Sequence, residues 1–167
     1  MTRINLGQAR KKVVRALPVR VRWLVEGCPL DFDFSRARCD LRPLADSDTN
    51  GFEIPQEWVP LFLFGEQDYA EGGGATPFLG VHADTGQVFG LDAERESEPV
   101  YLLNSDIDKF ILTFDVFDRA LRQGSLPVKQ VPCLAEEIDP TAFAVGEWRD
   151  LAEAIASGAD YGEDPTE

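Results

Sequence analysis

Histidine and methionine occur once each in these 167 residues, and cysteine three times. With His82 alone, a histidine triad or metal cluster would have to be assembled around a single imidazole. Neither a Gly-x-Ser-x-Gly elbow nor a His-Glu-x-x-His run accompanies it, so His82 reads as a structural or surface residue. Cys28, Cys39 and Cys133 are odd in number and widely spaced, and they contain no C-x-x-C pair, which argues against structural zinc. They read as small buried hydrophobes. Cys28 and Cys39 could meet in space, although a cytosolic setting argues against a disulfide. No apolar run approaches the roughly 20 residues that span a bilayer. No apolar stretch with a small-residue cleavage site follows the basic Arg3, Arg10, Lys11 and Lys12, so a secretory signal is not expected and the expected location is cytoplasmic.

Basic residues are also scarce. Lys and Arg number 16 against 30 Asp and Glu, a net charge of −14. Seven of the bases (Arg3, Arg10, Lys11, Lys12, Arg15, Arg20, Arg22) precede Glu26, the first acid, which leaves a balance of −21 from there on. Such a surface repels nucleic acid and anionic membranes and attracts basic proteins. The 44% hydrophobic and 28% charged content suits one soluble domain with a sizeable core.

Apolar spacing predicts a helix over 6–17, stopped by Pro18, and then a strand with Val19, Val21, Trp23 and Val25 facing inward and Arg20, Arg22 and Leu24 outward. Residues 26–56 carry Gly27, Pro29, Pro43 and Pro55 and read as loops with one short strand at most. Trp58 to Phe64 reads as a buried strand that Pro60 either places at an edge or confines to the part after it. Glu66 to Glu71 leads into Gly72-Gly73-Gly74 as a flexible acidic loop. Residues 78–83 and 87–91 form a hairpin about Asp84-Thr85-Gly86, and Pro99 to Leu103 reads as another strand. Ser105 stands where it can cap a helix with Asp108 in its first turn. Ile107, Phe110, Ile111, Phe114, Phe117 and Leu121 continue one face, and Gly124 sits at the C-cap. Residues 125–140, with Pro127, Pro132 and Pro140, read as loop before a last helix through Phe143, Trp148, Leu151 and Ile155.

Two motifs invite chemistry and fail on context. Asp84-Thr85-Gly86 matches the triplet around an aspartic-protease carboxylate, but those enzymes need two such carboxylates and here the flanks already make it a turn. The glycines 72–74 lack the Lys and the following helix of a phosphate loop. Catalytic, cofactor and metal residues are therefore all expected to be absent.

Over 61–123, LFLFGEQDY with its Gly-rich sequel, FLGVHADTGQVFGLD and VYLLNSDIDKFI follow in an order that resembles the SUKH superfamily, which includes yeast cell-wall assembly regulators, the Syd protein and many bacterial immunity proteins. The resemblance implies an α+β single domain, a small mostly antiparallel sheet with helices packed against it, over 1–157. An acidic tail at 158–167 is expected to be disordered. It also implies a non-enzymatic protein that binds and neutralises a toxin, often a nuclease, with no nucleic-acid or membrane partner. A basic toxin domain suits the acidic body. From chemistry alone, the candidate contact residues are Glu66, Asp68, Tyr69, Glu71, Asp92, Glu94 and Glu96. Two alternatives stay open: a regulatory scaffold of the same fold with an endogenous client, and more remotely a small enzyme with an acidic pocket.

Overall fold

Asn5 opens the first helix, α1 (Leu6–Ala16), by accepting a hydrogen bond from the Gln8 N–H at 3.0 Å. The helix stops before Pro18 and buries Ala9 and Val13. The computed structural model describes residues 4–25, 28–39, 41–43, 61–69, 78–92 and 100–162. Strand β1 (Arg20–Val25) alternates as expected, with Val21, Trp23 and Val25 buried. Val19 falls outside the strand and is exposed, contrary to expectation, while its carbonyl accepts from the Phe34 N–H at 2.7 Å.

Residues 28–39 and 41–43, within the stretch expected to be mostly loop, are more ordered. They contain β2 (Cys28–Asp33), the short α2 (Arg36–Cys39) and β3 (Arg42–Pro43). Pro29 is tolerated because it pairs only with Leu24 of β1, whereas pairing with the next strand begins at Leu30. That next strand, β4 (Leu61–Tyr69), extends through Glu66, Gln67, Asp68 and Tyr69, so these four residues are strand and not flexible loop. Trp58, Pro60, Glu71 and the glycines 72–74 lie outside the described residues.

The hairpin forms as β5 (Phe78–His82) and β6 (Val88–Leu91). Gly86 adopts φ 80° and its N–H donates to the His82 carbonyl at 2.8 Å. His82 Nδ1 accepts from the N–H groups of Asp84 and Thr85 at 3.2 and 3.3 Å, which makes the histidine part of the turn. With β7 (Val100–Asn104), the strands lie in the order β1-β2-β4-β5-β6-β7, and β3 adds to β4; every pair is antiparallel.

Helix α3 (Ile107–Asp118) lays Ile107, Phe110, Phe114 and Phe117 onto the sheet. Its cap is Asp106, which accepts from the Lys109 N–H at 2.8 Å, and not Ser105. A π-helical turn (Arg119–Gln123) follows and ends at Gly124, whose φ is 69°. Residues 125–140 are not a loop. After a 3-10 turn (Val128–Gln130) come α4 (Val131–Ile138) and α5 (Pro140–Val145), then α6 (Glu147–Gly162); Gly146, at φ 122°, divides the one final helix expected into two. Residues 163–167, the rest of the expected tail, lie outside the described residues.

These elements close an α+β domain around an aromatic core. Trp23 is fully buried, its ring centroid 4.6 Å from Phe32, 4.7 Å from Phe114 and 5.8 Å from Phe117. Phe117 in turn lies 4.7 Å from Trp148 of α6. Each such ring pair adds about 0.5–1.5 kcal/mol beyond the area it buries.

Candidate functional site

On the sheet face opposite this core, the strands β1, β2 and β4 present charge. Trp23, Leu30 and Phe32 point inward, so the intervening Arg20, Arg22, Asp31 and Asp33 point out. They pair across strands: Arg20 Nε donates to Asp33 at 3.2 Å, while Arg22 Nε and Nη2 both donate to the Asp31 carboxylate, at 2.6 and 3.1 Å. Arg36 of α2 donates to Glu66 of β4 at 2.8 Å and sits 5.8 Å above the Phe78 ring. Arg20, Arg22, Asp31, Asp33 and Glu66 border an open recess of about 460 Å3.

A β-bulge places Glu66 there. Phe62 and Phe64 belong to the core, and unbroken alternation would send Glu66 after them. The β4–β5 register shifts between Leu63 and Gly65, so Phe64 and Gly65 together occupy the inner side and Glu66 emerges on the outer one. Gly65 is required because a Cβ there would lie 2.7 Å from the Phe34 ring. The resulting register sets Glu66 opposite Asp33 and Asp68 opposite Asp31.

The electrostatics follow from these contacts. The bidentate bond from Arg22 lowers the pKa of Asp31, and Asp31 raises that of Arg22 in return. Burial pushes Asp33 up, but bonds from Ser35 and Arg20 outweigh it and the net shift is downward. Asp31 and Asp33 are therefore held in their charged form by the arginines of β1. Exposed pairs of this kind contribute little to stability; they orient the guanidinium planes.

The buried carboxylates elsewhere are committed to structure. Burial raises Asp118, but Arg122, Gln123 and the Trp23 indole N–H donate to it and bring its pKa below the usual value. Asp139 has the same balance: burial is outweighed by the Ser105 N–H at 2.7 Å, the Ser105 hydroxyl at 2.8 Å, the Asn104 amide and the Ala142 N–H. Both groups hold their charge firmly, whereas a general acid needs a raised pKa.

Of the residues expected to meet a partner, the structure brings Glu66 and Asp68 onto one strand beside Asp31 and Asp33. Tyr69 ends that strand opposite Leu30, and Asp92 follows β6 half-buried, two strands from Glu66 or about 10 Å by strand spacing. Glu71, Glu94 and Glu96 lie outside the described residues. Sequence reasoning missed Asp31, Asp33 and Arg36. The alternation in Leu30-Asp31-Phe32-Asp33-Phe34 was the available signal, hidden by the neighbouring Gly27 and Pro29. Cys133, expected buried, is exposed on α4.

Among the described residues no group of three or more His, Cys, Asp or Glu is arranged to hold a metal ion, and no helix is long and apolar enough to cross a membrane. Comparison of the chain with protein-family models, with curated proteins and with solved structures returned no match.

Proposed function

We propose that this chain is a non-enzymatic, cytoplasmic protein-binding domain, in the manner of a SUKH immunity protein that neutralises a toxin, and that it uses the outer face of β1, β2 and β4. The observation that carries the reading is the ion-paired lattice of Arg20–Asp33, Arg22–Asp31 and Arg36–Glu66, held by the sheet and α2, with the two arginines of β1 open to solvent and the third pair half-buried. Charges preset by their own ion pairs recognise a complementary protein surface at small entropic cost. The net charge of −14 favours a basic partner, such as a nuclease whose substrate-binding surface is positive, and accelerates its approach. The carboxylates at 118 and 139, saturated with donors, support binding over acid–base turnover.

Co-expression with the protein encoded by the adjacent gene tests this. The expected result is rescue of growth from that protein's toxicity and a complex that weakens as salt rises. Asp31→Asn with Glu66→Gln should slow association about tenfold at low salt, with the fold verified by circular dichroism. Absence of both rescue and complex would reject the antidote role. Unchanged association would reject this face.

A further inference from the structure

We infer that the open edge of β1 is a second docking element, which seats an extended, acidic segment of a partner protein as an added strand. This goes beyond the reading above, which concerns side chains of the outer face: the edge adds backbone hydrogen bonds, and Arg20 and Arg22 are common to both. β1 is the terminal strand of the sheet, and among the described residues β2 is its only strand neighbour. The Phe34 N–H donates to the Val19 carbonyl at 2.7 Å, which identifies that position as a hydrogen-bonded pair of the β1–β2 ladder. In an antiparallel ladder such pairs alternate, so positions 21, 23 and 25 bond to β2, and the backbone N–H and C=O groups of Arg20, Arg22 and Leu24 turn to the free edge.

The same three residues carry exposed side chains on the outer face: Arg20 and Arg22 side chains are 75% and 59% exposed, and Leu24 is 59% exposed. The inner residues Val21, Trp23 and Val25 anchor the strand, so the edge is held in shape before anything binds. An added strand would place alternate side chains directly beside Arg20 and Arg22. Asp33 and Asp31 hold those guanidinium groups from the far side through their Nε, and for Arg22 also through Nη2, which leaves the other N–H donors unspent by those carboxylates. Acidic residues at alternate positions complement that column. A second copy fits poorly: antiparallel self-pairing centred on Arg22 puts arginine opposite arginine.

The test uses two synthetic peptides, one alternating glutamate with valine and one with lysine in place of glutamate, titrated into the 15N-labelled full chain. The expected result is at least tenfold tighter binding of the glutamate peptide, with amide shifts concentrated at residues 20, 22 and 24. Arg20→Glu with Arg22→Glu should reverse the preference. Leu24→Pro removes one open-edge N–H while keeping every charge, and proline is tolerated at a strand edge; it should weaken both forms of binding. Shifts elsewhere, absence of binding by either peptide, an unreversed preference or self-association through β1 would each overturn the inference; Leu24→Pro leaves the outer-face ion pairs in place, so its effect separates the edge from the face.

Discussion

Asp139 is 2% exposed, yet it joins two distant parts of the chain. It accepts from Asn104 and Ser105 at the end of β7, and from Ala142 as the cap of α5. Asn104 passes the connection on, donating to Thr113 of α3 at 3.2 Å and accepting from the Trp148 indole at 2.8 Å. Removing the carboxylate strands several buried donors together, each carrying a desolvation cost. Asp139→Ala should therefore lower stability by about 3 kcal/mol, read as a shift in the urea midpoint; a loss within error of zero would mean that solvent replaces the acceptor. In sequence, Asn104-Ser105 looked like a helix cap, since a hydroxyl next to a helix start is the ordinary cap. Its actual partner lies 34 residues on, and no local spacing encodes that distance.

At the level of elements, the bulge at Phe64-Gly65 decides where acid meets solvent. Gly65→Ala forces a methyl group into the Phe34 ring or straightens the strand. The expected cost is about 1–3 kcal/mol of overpacking, measured by thermal melting, together with chemical-shift changes at Glu66; an unperturbed variant would show that Phe34 yields freely. The hairpin, β7, α1 and α3 were legible because local periodicity and turn chemistry agree in them. The segment 125–140 was not, because in sequence alone its prolines read as breakers. Pro132 and Pro140 instead occupy first-turn positions of α4 and α5, where a missing N–H costs nothing. β2 was hidden in the same way, since Pro29 lies at the end of the strand that only β1 pairs.

Across the whole molecule, the division of charge along the chain does not survive folding. Lys12 bonds Asp108, and Arg20 and Arg22 bond Asp33 and Asp31, so the basic opening is laid onto acids of the body. The candidate face mixes both signs, and its arginine half could be located only once β1 and β2 were known to pair. Acid response is also a global property. Asp118 and Asp139 have lowered values in the folded chain, against about 3.9 when unfolded, so the unfolded chain binds more protons in acid. The stability they contribute is complete above about pH 5 and is lost as pH falls through 4 and below. Melting temperature measured from pH 7 to pH 3 should fall in that window, and less so in Asp118→Asn with Asp139→Asn; an identical decline in that variant would assign acid sensitivity to other groups. The stack of Trp23, Phe117 and Trp148 has a consequence for biosynthesis. Its rings come from positions 23, 117 and 148, so translation delivers β1 first, α3 next and α6 after both. Phe32 and Phe114 can flank Trp23 before then, but the α6 side of Phe117 stays bare until residue 148 has been translated, and the stack closes only at that point.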